Sequence, residues 1–147
     1  MKLTIKAKIQ ISKPAKQVFD AIIDPEKMSN YFIERGSGKM ETGESVIWNF
    51  PEFPDDCPIK VKEIKPDNFI SFSWDNGNVE TLVSIKLDEV RGGTVVTVVE
   101  DGMENDEKGI QWLKGNTEGW ANFLACLKGY LEYGINLRKG AFDFMKQ

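Results

Sequence analysis

The feature that most constrains this chain is an apolar stripe close to its end. Trp120, Phe123, Leu124, Leu127 and Leu131 recur at steps of three and four residues, which puts them on one face of a helix. Ile110, Trp112 and Leu113 extend the stripe upstream, while Lys114, Glu118, Asn122, Lys128 and Glu132 fall largely on the other faces. The pattern predicts a helix from roughly Asp106 to Arg138, about 45 Å long at the usual rise per residue. A helix of that length needs a broad surface to lie on. Gly109, Gly115, Gly119, Gly129 and Gly134 interrupt it, each costing about 1 kcal/mol relative to alanine in a helix interior. We therefore expect a kink or a frayed first turn near Gly115, with the turns before it acting as a gate.

The residues before the stripe supply the surface. Leu3, Ile5, Ala7, Ile9 and Ile11 alternate with polar residues, the pattern of a half-buried strand. Ser12-Lys13-Pro14 reads as a helix start with a hydroxyl cap, and Val18, Phe19, Ile22 and Ile23 form the buried face of that short helix. Asp24-Pro25 ends it and opens another, Asp24 as cap and Pro25 as first residue. Glycines then punctuate two short strands, the second carrying Val46, Trp48 and Phe50 on one face. Pro51, Pro54 and Pro58 bracket a loop, Ile59 to Ile64 and Phe69 to Trp74 are strands, and Pro66-Asp67-Asn68 is a tight turn. Asn76-Gly77 reads as a type I′ hairpin turn, and Val79 to Leu87 and Thr94 to Glu100 are joined through Arg91-Gly92-Gly93. Successive hairpins make the sheet antiparallel. One long helix packed on such a sheet is an α+β layer arrangement, with residues 1–147 as a single domain.

The chain has 147 residues and not one histidine, which removes the commonest general base and metal ligand. A formal charge of −4 argues against nucleic acid as a partner. No apolar run approaches the ~18 residues of a membrane span, and the first residues lack a signal peptide's apolar core, so a cytoplasmic location is expected. Cys57 and Cys126 make neither a disulfide framework nor a metal quartet. Glu100, Asp101, Glu104, Asp106 and Glu107 cluster ahead of the helix, where its dipole favours carboxylates; their spacing lacks the steps of a calcium loop. We expect no metal and no cofactor. Glu63, Glu100, Tyr130, Tyr133, Ser71 and Ser73 could do acid–base work if buried, but their spacing specifies no reaction and no catalytic residue is assigned. Cys126, close to the apolar stripe, reads as packing rather than as a nucleophile.

Several short motifs, taken in order, resemble a known family. They are Pro14 to Phe19, Asp24-Pro25, the pair Tyr31-Phe32, Phe72-Ser73-Trp74, Gly92-Gly93-Thr94, and Gly119-Trp120 leading to Leu124, Leu127 and Lys128-x-Tyr130-Leu131-Glu132. Together they resemble the START-like (SRPBCC, helix-grip) superfamily, in the branch of heat-shock-protein-90 ATPase activator homologues. The resemblance implies a curved antiparallel sheet of about seven strands around a long C-terminal helix, two short helices after the first strand, and a cavity between sheet and helix. Phe19 and Tyr31 depart from it, standing where tryptophan is common, as does the Pro51–Pro58 loop. Members of the superfamily bind lipids, sterols, polyketides or hormones, and some cyclise polyketides. The eukaryotic activator carries a further chaperone-binding domain, for which this chain has no room.

In that frame Phe32, Trp48, Phe50, Phe72, Trp74, Trp112, Trp120 and Phe123 are the candidate ligand-binding residues, because cavities are mostly apolar with a few polar anchors. For any single one of them core filling is the favoured reading, since each buries a large area. Trp74 and Trp120, on facing elements, are the foremost candidates for the cavity. The function this suggests is binding of a small apolar or amphipathic molecule. A protein-interaction module in a stress or chaperone setting is an alternative, and so is a cyclase- or hydrolase-like enzyme using the same cavity. The oligomeric state is left open by the sequence.

Overall fold

The computed structural model describes residues 1–146. Strand β1 (Lys2–Ile11) leads into two short helices, α1 (Ala15–Ile23) and α2 (Pro25–Met28). Six further strands follow: β2 (Arg35–Gly36), β3 (Ser45–Asn49), β4 (Cys57–Lys65), β5 (Phe69–Asn76), β6 (Val79–Val90) and β7 (Gly93–Glu104). Helix α3 (Glu107–Tyr133) and a 3-10 turn (Asp143–Met145) complete the chain. The strands form one sheet in the order β1-β7-β6-β5-β4-β3-β2, every pair antiparallel. The chain is thus the α+β arrangement expected, seven strands with a long C-terminal helix laid against β1 and β7.

The period of two decides which face meets the helix. Ile70 and Phe72 on β5, Val83, Ile85 and Leu87 on β6, and Val96 and Val98 on β7 are all at most 2% exposed. They join Leu124 and Leu127 of α3 in one core. Tyr31 is enclosed between the short helices and α3, where its hydroxyl donates to the Ala21 carbonyl at 2.9 Å. Burial, then the neighbouring Tyr130, push its phenol well above the usual range.

Several local expectations are corrected. Helix α3 is unbroken through Gly115 and Gly119, with no frayed turn, because Asp106 caps it by accepting the Gly109 N–H at 2.8 Å. It stops at Tyr133, not Arg138, since Gly134 adopts φ +64° and turns the chain out of the helix. Ile110 lies off the buried stripe and is 36% exposed. Ser12 does not cap α1: Pro14 is the extended residue at the helix entry, so the hydroxyl sits too early, and the Glu89 carboxylate takes the Ala15 N–H at 3.1 Å instead. Pro58 lies within β4, at its second residue, near the strand end where a missing N–H is tolerated. Asn76 is the last residue of β5, paired with Val79, so the hairpin turns on Gly77-Asn78. Gly77 has φ +68° and Asn78 no positive φ, the φ pattern of a type II′ turn rather than a type I′.

Candidate functional site

The acidic run before α3 is not a uniform patch at a helix end. Asp106 does cap the helix, but Glu100 lies inside β7 on the inward phase of Val96 and Val98 and is 0% exposed. Its carboxylate accepts five hydrogen bonds. Oε2 takes Trp74 Nε1 at 2.9 Å, Asn76 Nδ2 at 3.2 Å and Thr81 Oγ1 at 2.6 Å. Oε1 takes Trp120 Nε1 at 2.7 Å and Asn116 Nδ2 at 3.1 Å. The network has a direction. Asn116 also donates to Asn76 Oδ1 at 3.1 Å, and Asn76 donates to Thr81 Oγ1 at 2.7 Å, so the Thr81 proton is left to point at Glu100. Every partner is neutral and every partner donates, the coordination that an acceptor-only carboxylate requires. A buried polar group costs dearly when unpaired, and this one is fully paired.

This hub joins three strands to the helix. Trp74 and Asn76 come from the end of β5, Thr81 from the start of β6 and Asn116 and Trp120 from α3. The two indoles are thereby held at a centroid separation of 5.6 Å and an interplanar angle of 35°. Beside them opens a cleft of about 240 Å³. Phe32, Phe50, Phe53, Trp74 and Trp120 give it aromatic walls; Cys57, Asp75, Asn76, Asn116 and Arg138 give it a polar rim, and Gly119 leaves one side open. Burial, then the charge of Asp75, raise the Cys57 thiol above its ordinary range, which keeps it an unreactive neighbour.

The segment after α3 closes over a neighbouring hollow of about 330 Å³, lined by Phe123, Phe142, Phe144 and Met145 among others. Arg138 fastens this segment with two parallel bonds to Glu52, Nη1 to Oε2 at 2.9 Å and Nη2 to Oε1 at 2.8 Å. The side chains of Glu52 and Arg138 are 3% and 15% exposed, and the guanidinium lies 4.7 Å from the Phe142 ring centroid. The proline-bracketed loop thus borders the cleft through Phe53, and the chain beyond α3 borders it through Arg138.

The eight sequence candidates divide. Phe32, Phe50, Trp74 and Trp120 line the cleft, and Phe123 lines the neighbouring hollow. Trp48 and Phe72 stand behind them in the core, edge-on to each other at 5.2 Å. Trp112 is 8% exposed near the start of α3, away from both spaces, and its Nε1 has no partner among the described residues. Among the residues considered for acid–base work, Glu63 and Tyr133 are exposed, Tyr130 stacks on Tyr31 at 5.7 Å, and Ser71 and Ser73 lie on the strand phase opposite Phe72 and Trp74. Cys126 is buried, as expected of a packing residue. Sequence reasoning gave Asn76, Thr81 and Asn116 no role in the site, and placed Glu100 both in the acidic run before the helix and among the groups that could act if buried. The available signal was phase: Asn76 continues Phe72 and Trp74, Thr81 precedes Val83 and Ile85, and Glu100 follows Val96 and Val98, all at inward positions.

With this geometry in place, the chain can be set beside known proteins. Residues 12–132 match the family described as activator of Hsp90 ATPase homolog 1-like protein, and the chain belongs to that family. The match runs from just after β1 almost to the end of α3. No curated protein matches. Among solved structures, protein SSP2350 from Staphylococcus saprophyticus is 29% identical with a TM-score of 0.78, over 92% of this chain and 96% of that one. DynU16, a protein in the dynemicin biosynthetic locus, is 24% identical with a TM-score of 0.80, over 90% of this chain and 48% of that one. The Aha1 dimer from Colwellia psychrerythraea is 21% identical with a TM-score of 0.77, over 90% and 98%. At such identities the last two likenesses establish the fold alone. Among the described residues, no helix is long and apolar enough to cross a membrane, and no group of three or more His, Cys, Asp or Glu side chains is placed to hold a metal ion.

Proposed function

We propose that the chain binds a small apolar or amphipathic molecule in the cleft beside Trp74 and Trp120. The observation that carries this reading is the cleft itself: about 240 Å³ walled by five aromatic side chains with a thin polar rim. Ligand sites are concave and mostly apolar with a few polar groups that orient the guest. Phe32, Phe50, Trp74 and Trp120 act as walls, Phe123 extends them toward the neighbouring hollow, and Trp48 and Phe72 serve as backing. That a relative of the same fold lies in a biosynthetic locus supports a small organic guest. Glu100, sealed behind its five donors, acts as the brace that fixes both indoles rather than as an acid or base meeting the guest.

Native mass spectrometry of the protein taken from cells, followed by thermal-shift titration of a lipid and polyketide panel, tests the reading. Binding is expected to raise the melting temperature of the wild-type chain, and Trp120→Ala to abolish that rise. A panel that leaves the wild-type melting temperature unmoved, with no co-purifying mass, would sink the proposal.

A further inference from the structure

The geometry points to an organic cation without N–H donors, a quaternary ammonium on a small apolar body, as the kind of guest the cleft takes. The inference rests on the reading of the cleft as a binding site and adds the charge of the guest.

Three observations converge on it. First, Glu100 is a fully buried carboxylate whose five partners are all neutral. Donors spread its charge without cancelling it, so a cation placed nearby gains more than it would in water. Trp74, Asn76, Asn116 and Trp120 each touch both this carboxylate and the cleft, so the charge lies one side-chain layer behind the wall. Second, the cleft offers an anion little to pair with. The basic residue lining the cleft is Arg138, and it is already paired with Glu52 through both terminal nitrogens. Its charge is thus already neutralised by Glu52 and adds little attraction for an anion, whereas a cation does not compete for it.

Third, the walls are rings, and both indole N–H groups are directed at Glu100. A carboxylate on the N–H polarises an indole toward greater negative charge on its face, which strengthens its attraction for a cation. With these N–H groups engaged, and the amide protons of Asn76 and Asn116 turned the same way, the cleft has few donors to offer an anion or a carbonyl. A primary ammonium needs several acceptors to replace its water. A quaternary ammonium needs none and is held by ring faces alone. Trp74 and Trp120 stand too close to each other to sandwich a cation, so it sits on their cleft side, in the space that Phe50 and Phe53 also line.

The experiment compares three probes of one shape: phenyltrimethylammonium, the neutral isostere tert-butylbenzene, and the anion 4-tert-butylbenzoate. Each is titrated into the full chain and followed by tryptophan fluorescence and calorimetry. The cation is expected to bind about tenfold more tightly than the neutral probe. Glu100→Gln, which removes the charge behind the wall, is expected to narrow the preference for the cation over tert-butylbenzene about threefold. Equal affinity for cation and neutral probe would overturn the charge assignment and leave the cleft reading standing. Tightest binding of the benzoate would overturn it in favour of Arg138 as an anchor. Failure of all three to bind would overturn both readings together.

Discussion

The two halves of α3 do different work. From Leu124 to Leu127 the helix is sealed: Leu124, Cys126 and Leu127 are at most 7% exposed in a core whose strand residues are mainly Ile and Val. From Gly115 to Trp120 it borders open space, with Gly119, Asn116 and Trp120 on the cleft and Gly115 on the neighbouring hollow. One half is held by dense apolar packing, the other by directed hydrogen bonds to a single carboxylate. Packing without direction makes a fold; directed bonds keep aromatic walls apart from a space that packing alone would have collapsed.

That contrast can be broken at its strong end first. Leu127→Ala, in the sealed half, is expected to cost about 2–5 kcal/mol in urea denaturation while leaving the relative affinities of cleft ligands unchanged in the folded fraction. Glu100→Gln comes next: an amide cannot accept all five donors, so a cost of about 1–3 kcal/mol is expected. Unlike the leucine change, it should also shift the tryptophan emission, because the indole that faces the new amide NH2 loses its acceptor. If Glu100→Gln left emission and stability untouched, the brace would have no role.

Smaller effects sharpen the same line. A methyl group at Gly119 or Gly115 meets nothing within 4 Å, so Gly119→Ala is expected to stabilise the protein by about 0.5–1 kcal/mol. At Gly129, in the sealed half, the added Cβ would come within 2.7 Å of the Leu137 side chain, and the gain should shrink or reverse. Thermal melts of the two variants side by side decide whether the open half is open.

The smallest effect is a pH dependence. Lys128, then the Ser12 N–H, hold the Glu132 carboxyl below the usual carboxylate range. Its folded value therefore lies under its unfolded one, and the stability it contributes is present above about pH 4.3 and lost as pH falls through the folded value. The difference between wild type and Glu132→Gln, measurable at about pH 6, should shrink as the pH is taken down through the acid range below about pH 4.

Much of this was readable from sequence, and what was not has a physical cause. Alternation along Leu3 to Ile11 and the spacing of Trp120 to Leu131 gave sheet and helix, because burial on one face is a local pattern. The end of α3 was misjudged because Ile135 and Leu137 prolong the apolar rhythm past Gly134, whose left-handed conformation stops the helix regardless. Gly115 was misread because helix propensity is a local cost that capping and packing outweigh. Trp74 and Trp120 stood out by size. Glu100 belongs by sequence both to the acidic run and to the groups that act only if buried, and strand phase alone decides that it turns inward.

The anchoring of the sealed half has a consequence for how copies of this chain meet in solution. β1 is the terminal strand of the sheet, ten residues long, with one side of its backbone unpaired. Such an edge is a template on which a second molecule can add a strand. Near its end, Lys128 Nζ donates to the Gln10 carbonyl at 2.8 Å, and the Ser12 N–H, at 2.9 Å, donates to Glu132. One turn of helix thus occupies an acceptor and a donor that a stray strand would need, and Lys6 and Lys8 crowd the same edge with like charge. The pair that ties helix to sheet also discourages the sheet from growing.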